Sequence, residues 1–340
     1  TRIADAGARS IEAIRTDATL YDITPGQPRP TKLPDTIVYG PAEVALMDLP
    51  QISDTIPAHR PYAAVFAKPW YGTAAVWRSA DTSGFALLDT IGQPAHMGIL
   101  AADLPAGQLW RFDHGNELLV DLSSGTLTSI TDTELFAGGN AFATENASGS
   151  WEIIQAGNAE LVFSGRYRLT RLLRGQRGTE DAMGNPALAG ARVVMLDSGV
   201  QPLSTSEADL GLPWNWRIGP ASVAPADPLM NAENFTPNGR GLKPFAPAQL
   251  RMRREANGDL ALRWMRRDRA LAADGWVLTD VPMLETTETY DLEVMSEATL
   301  IRTITGLTSS AFTYTAAMQA TDFGGPITNL SIRLYQIGAL

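Results

Sequence analysis

The chain has no cysteine and only three histidines, His59, His96 and His114. The first absence excludes disulfides, thiolate metal sites, iron–sulfur ligation and cysteine nucleophiles. It says little about compartment, because a thiol-free chain suits oxidising and reducing surroundings alike. The scarcity of histidine leaves little room for imidazole chemistry. No two histidines stand at helical or hairpin ligand spacing, so no local metal site is encoded. His59, within Pro57-Ala58-His59-Arg60-Pro61, reads as a surface or hydrogen-bonded histidine. No Gly-x-Ser-x-Gly elbow occurs, so a serine triad lacks its nucleophile turn. No apolar run approaches the ~18 residues of a spanning helix. No charged-then-apolar leader opens the chain, so no signal peptide is expected there. The opening residue is Thr1 rather than Met, which suggests a piece of something longer. Positive charge is short as well: 27 basic against 37 acidic side chains give a net charge of −10. Such a field repels nucleic acids and anionic membranes unless a basic patch is segregated. The deficit is uneven, −9 over residues 1–242 and −1 over 243–340.

What is present is a chain of 340 residues, 44% apolar, with 30 glycines and 22 prolines. That length accommodates two or three domains of about 100–200 residues each, every one large enough for a core. The frequent Gly and Pro leave few helical stripes. Residues 1–16 carry Ile3, Ile11 and Ile14 and predict a short amphipathic helix, weakened by Gly7. Residues 1–60 read as an extended connector: Pro25, Pro28, Pro30, Pro34, Pro41, Pro50 and Pro57 oppose helix interiors and central strands, with Val44, Leu46 and Leu49 as anchors. From 61 to 217 the pattern is β. Ala63-Ala64-Val65-Phe66 and Thr73-Ala74-Ala75-Val76-Trp77 are short apolar runs, and hairpin turns follow at Ser123-Ser124-Gly125 and Ala156-Gly157-Asn158. Residues 218–242 are proline-rich and read as a second linker. Residues 243–340 alternate with period two, as in Leu260, Leu262 and Trp264 or Tyr290-Asp291-Leu292-Glu293-Val294. Strands at this spacing make a β-sandwich. Trp264 on the second strand and Tyr314 on the sixth resemble the fibronectin type III pattern. The expected fold is therefore mainly β: sandwich or barrel domains joined by proline-rich linkers, closed by a fibronectin-like sandwich.

Three chemical readings invite a test. Val193-Val194-Met195-Leu196-Asp197-Ser198-Gly199 looks like the strand ending in Asp-Ser-Gly that carries half of an aspartic protease. That mechanism needs a second carboxylate sharing one proton, and the other candidate, Asp81-Thr82-Ser83-Gly84, holds an extra residue. The bland reading of Asp197 is an ordinary turn. Glycosidic chemistry needs two carboxyls about 5–9 Å apart; Glu285/Glu288 and Glu180/Asp181 are available, but such pairs arise by chance among 37 acids. Trp70, Trp77, Trp110, Trp214 and Trp216 are candidate stacking platforms for a carbohydrate-binding module, though tryptophans in sandwiches more often fill cores. Two basic clusters stand out: Arg166, Arg168, Arg171, Arg174 and Arg177, and seven arginines between Arg251 and Arg269. In the first, Tyr167 and Leu169 face one way and Arg166 and Arg168 the other. Gly175-Gln176-Arg177-Gly178 matches the bare GxxG of a KH domain, but that loop joins two helices and here a strand approaches it.

The stretch Leu172-Leu173-Arg174-Gly175-Gln176-Arg177-Gly178-Thr179-Glu180 resembles a motif of the large multidomain baseplate proteins, often called megatron, of siphophage-like tails and alphaproteobacterial gene transfer agents. Lys68-Pro69-Trp70-Tyr71-Gly72, Leu135-Phe136-Ala137-Gly138-Gly139-Asn140-Ala141, Gly149-Ser150-Trp151-Glu152, Tyr314-Thr315-Ala316-Ala317 and Asp322-Phe323-Gly324 match the same style. The resemblance implies the C-terminal part of such a protein: a structural, non-enzymatic tail-tip hub without cofactors, located in the tail of a virion or virion-like particle. The family's TIM-barrel, glycosidase-like part finds no strand–helix repetition here, so its activity is not carried over. The implied partners are the chain itself, as a trimer around the tail axis, other baseplate and fibre proteins, and a cell-surface glycan, with DNA passing nearby and no nucleic-acid sequence read. The site residues are Arg171, Arg174, Gly175, Arg177, Gly178, Thr179 and Glu180. They fit either an internal Arg–carboxylate clasp or a contact to the adjacent subunit. The clasp is preferred, because bidentate arginines lock turns and Gly supplies left-handed positions.

Overall fold

The computed structural model describes residues 2–5, 7, 9–17, 38–270 and 283–338. Residues 1–38 and 39–340 form two compact units. In the first, β1 (Arg2–Asp5) and β2 (Arg9–Glu12) pair as an antiparallel hairpin with Ile3 opposite Ile11. The expected helix is absent from this segment. Gly7 at φ 75° occupies the turn, a left-handed conformation that breaks a helix but suits a hairpin. The prolines between 25 and 34 lie outside the described residues.

The second unit begins with a strand buried on both faces. β3 (Glu43–Met47) pairs with β4 (Tyr62–Phe66). Val44 and Leu46 alternate with Ala45 and Met47, and each set enters a different core. Ala63 and Val65 alternate likewise with Tyr62 and Ala64. A strand apolar in both parities must be covered twice, so this sheet is a middle layer. Its inclusion of residues 43–47 corrects the reading of residues 1–60 as a connector: Val44, Leu46 and Leu49 are core, not surface anchors.

On one side lies an antiparallel sheet containing β5 (Ala74–Ser79) and β6 (Ala86–Ile91). On the other is a closed six-stranded barrel: β7 (Met97–Leu100), β8 (Leu118–Leu122), then α1 (Asp132–Phe136), β9 (Ala141–Glu145), β10 (Trp151–Phe163), β11 (Arg166–Gln176) and β12 (Arg192–Met195). Closure removes sheet edges, and Leu118, Val120, Phe142, Ile154, Leu169 and Leu172 fill the interior. The short β13 (Gln201–Pro202) joins the middle layer beside β4. β14 (Trp214–Pro220) and β15 (Asn231–Phe235) complete the sheet of β5 and β6, in the order β15-β14-β5-β6. Residues 218–242 are therefore not simply a linker. Ile218 is fully buried and Pro220 closes a strand, a position where its missing N–H is tolerated.

The last module is a sandwich of two three-stranded sheets. β16 (Ala248–Arg254), β17 (Leu260–Met265) and β20 (Ala311–Tyr314) form one; β18 (Tyr290–Ser296), β19 (Thr299–Leu307) and β21 (Ser331–Gln336) form the other. Trp264 meets Tyr290 edge-on at 5.3 Å in the shared core. Tyr314 ends β20, the fifth strand of the module among the described residues, and α2 (Ala316–Phe323) follows it. Asp322 on this helix takes both Arg302 nitrogens at 2.7 Å and the Tyr314 hydroxyl at 2.6 Å, tying both sheets together. The Arg302 hydrogen bonds, opposed by desolvation, hold the Asp322 carboxyl below the usual carboxylate range. A depressed native pKa stabilises above the unfolded value of about 4 and is lost as pH falls through the native value. Acid titration monitored at Trp264 should show the wild-type sandwich losing this contribution below about pH 4. In Asp322→Asn that acid-linked loss should be smaller; an identical titration would refute the assignment.

Candidate functional site

Each arginine of the first basic cluster has an internal partner. Arg166 binds Asp121 through two hydrogen bonds of 2.6 and 2.7 Å, and Arg168 reaches Glu117 and Glu160, each at 3.2 Å. Tyr167 and Leu169 point into the barrel as their alternation required. Arg171 pairs with Asp132 and lies over the Phe112 ring at 4.4 Å.

Arg174 is the centre. Its side chain is 1% exposed, as is expected only of a charge fully matched by partners. Nε and Nη2 donate to the two Glu152 oxygens at 2.7 and 2.8 Å, and Nη1 donates to the Pro105 carbonyl at 3.0 Å. The Asp113 carboxylate lies 3.5 Å from Nη1. Asp113 is itself held by the Gly115 and Asn116 amides and the Asn116 side chain, while the Gly175 amide donates to Glu152. Three segments distant in sequence are thus fixed around one guanidinium: β10, the 105–116 loop and the end of β11.

The turn that follows links the barrel to its neighbours. Gly175 (φ 57°), Arg177 (φ 55°) and Gly178 (φ 76°) are left-handed, which reverses the chain within a few residues. Arg177 donates to the Gln51 carbonyl at 3.1 Å, reaching the loop after the middle layer's first strand. Thr179 is buried; its hydroxyl donates to the Gln176 carbonyl at 2.7 Å and accepts from the Ile153 amide at 2.9 Å. Gly178 packs so closely on Phe245 that a Cβ would stand 2.3 Å from the ring. Glu180 pairs with Arg267 of the terminal sandwich, whose guanidinium also lies over the Phe245 ring at 5.0 Å. The seven residues predicted from the sequence therefore sit in one region, and six of them, Arg174 to Glu180 with Gln176 set aside, build a junction joining barrel, middle layer and sandwich. Arg171 stands one strand turn away, on the α1 side.

Sequence reasoning missed the partners of this turn. Glu152, Asp113 and Arg267 are distant from it in the chain; the Gly149-Ser150-Trp151-Glu152 resemblance touched Glu152, and Arg267 stood out only as one arginine of the second basic cluster. Arg267→Ala removes the Glu180 pair and the Phe245 contact and should cost about 1.5–3 kcal/mol, read as earlier denaturant unfolding of the terminal sandwich. Unchanged unfolding would show that Glu180 and Arg267 contribute nothing to the junction.

Beside it opens a cleft of about 510 Å³ lined by Asp48, Trp151, Asp181, Phe235, Arg240 and Lys243 among others. Burial pushes the Asp48 carboxyl up, although the Asn238 and Arg240 amides donate to it. At Asp181 burial also pushes up, but the hydrogen bonds and charge of Arg240, together with main-chain amides, outweigh it and the carboxyl ends below its ordinary range.

The remaining candidates separate. Asp197 accepts from the Gly199 amide at 2.8 Å and lies 2.6 Å from His96 Nδ1; its bonded partners are a histidine and a main-chain amide, not a second carboxylate. Glu285, Glu288, Glu180 and Asp181 are each paired with an arginine. Among the described residues no group of three or more His, Cys, Asp or Glu side chains is arranged to hold a metal. Trp216 is buried, Trp214 carries Arg78 at 4.3 Å, Trp70 and Trp77 are half-buried, and Trp110 is 47% exposed.

No curated protein matches the chain. Among solved structures, a crystal structure of domains from titin aligns over 89% of this chain and 94% of its own at 7% identity, with a TM-score of 0.18, too low for a shared fold to be read from it. Residues 95–194, which run through all six barrel strands to β12 and include the whole arginine and glycine turn, match the family model described as Rcc01698-like, C-terminal.

Proposed function

We propose that this chain is a structural component of a phage-like tail baseplate, of a gene transfer agent or a siphophage, forming the tail-tip hub and binding baseplate and fibre proteins for host attachment and DNA delivery. The observation that carries the reading is the family match across the barrel, whose family name is associated with gene transfer agents. Supporting it is the use to which the motif's charged groups are put: Arg174 is consumed in a clasp inside the barrel and Glu180 in a pair with the terminal sandwich. A rigid junction is what a load-transmitting scaffold needs, whereas a catalytic centre needs groups left available to a substrate. On this reading the protein works as a homotrimer around the tail axis and has no reaction of its own. Imaging of particles with the chain tagged should place it in a threefold ring at the tail tip. A freely soluble monomer absent from particles would overturn the proposal.

A further inference from the structure

The second basic cluster divides into used and unused arginines. Arg266, Arg267 and Arg269 pair with Glu288, Glu180 and Glu285. Arg254 bonds the Gly258 carbonyl and Gln319, and Arg253 pairs with Glu255. Arg251 and Arg263 have no ion-pair partner among the described residues, yet they stand directly opposite each other on β16 and β17. Like charges directly opposed across a sheet are destabilising. Charged residues commonly blunt sheet edges, which would account for Arg251 on the edge strand. It does not account for Arg263, which lies on the central strand of the sheet.

The same edge is unfinished in a second way. Among the described residues β16 has a strand on one side only, and every residue from Gln249 to Arg254 is exposed. Met252, opposite core-facing Leu262, is still 44% exposed, and Leu250 is 42% exposed. A shallow cleft of about 570 Å³ on this edge is lined by Arg251, Met252, Arg253, Glu255, Ala261 and Arg263.

We propose that the β16 edge is a docking site for an extended acidic segment of a neighbouring protein that alternates carboxylate and apolar side chains. Added as a strand, its main chain would satisfy the free edge of β16. Its carboxylates would flank Arg251 on the face that Arg251 shares with Arg263, offsetting their repulsion with charge-assisted hydrogen bonds, and its apolar side chains would lie beside Leu250 and Met252 on the other face. The cleft has no aromatic ring on which a sugar or a base could stack, and Glu255 opposes a dense polyanion. The inference stands on the sandwich alone and is independent of the tail-tip reading.

The test uses the full chain and a fluorescein-labelled octapeptide alternating Glu and Val, with binding read by anisotropy. The peptide should bind, weaken as salt rises, and lose at least tenfold in affinity with Arg251→Glu/Arg263→Glu. Arg263→Glu alone places a carboxylate opposite Arg251 and should weaken binding while leaving thermal unfolding of the sandwich unimpaired, which separates lost docking from lost folding. An alternating Lys and Val peptide should not bind. The proposal is overturned if the Glu peptide fails to bind, if the Lys peptide binds equally, if the double variant binds unchanged, or if single-stranded DNA or a sulfated polysaccharide is preferred to the peptide.

Discussion

Replacing Glu152 with alanine is expected to destabilise the barrel by about 3–5 kcal/mol, the cost of stripping a buried charge of its main partner. The Arg174 side chain is 1% exposed and Glu152 5%. Without Glu152 the guanidinium keeps only the Pro105 carbonyl and the more distant Asp113, and the Gly175 amide loses its acceptor. Glu152→Gln preserves shape and one acceptor oxygen and should cost less. The measurement is the midpoint of denaturant unfolding, with near-ultraviolet circular dichroism reporting the barrel aromatics. A loss below about 1 kcal/mol, the scale of an exposed pair, would show that the clasp does not hold the barrel. Arg174→Ala gives the complementary result. Because its polar contacts are internal, it should impair folding. Loss of assembly from a fully folded chain would point instead to an intersubunit contact.

Gly178→Ala should have the next largest effect, felt between modules rather than within one. At φ 76° an L-residue costs about 1–2 kcal/mol. The new methyl would also stand 2.3 Å from the Phe245 ring, and such overpacking adds about 1–3 kcal/mol. The ring cannot retreat freely, since it is buried and capped by Arg267. The expected result is faster proteolysis near residues 240–248, with the barrel's own unfolding shifted less. Gly184→Ala is the control: no atom lies within 4 Å of its Cβ position and its backbone is not left-handed. If the two substitutions behave alike, the Gly178–Phe245 contact does not couple barrel and sandwich.

Local pattern made much of this fold legible. The run Ala63-Ala64-Val65 announced a strand, and the fold shows that its two faces enter different cores. Leu260, Leu262 and Trp264 announced one face of the terminal sandwich, and all three are buried in its core. The proline-rich stretches misled. Proline density signals a lack of local preference for regular structure, but β15 forms against β14 because Phe235 and Trp216 meet in a core, at 6.2 Å between rings. At the N-terminus, the eight-residue interval from Ile3 to Ile11 fits a helix face and a hairpin register equally, and Gly7 decided between them.

Composition and local pattern already specify a mainly β chain without thiol chemistry, and they mark one arginine- and glycine-bearing turn as the place where the backbone reverses tightly around charge. What those charges meet is settled by the folded chain. Arg174 finds Glu152 at a separation of 22 residues and Asp113 at 61, and Arg267 finds Glu180 at 87. Periodicity tells which side of a strand a residue faces, because that is fixed by the residue's own backbone. Its charge partner is fixed by which strands close the barrel and which module packs on its rim, and that choice is made by burial summed over the whole core.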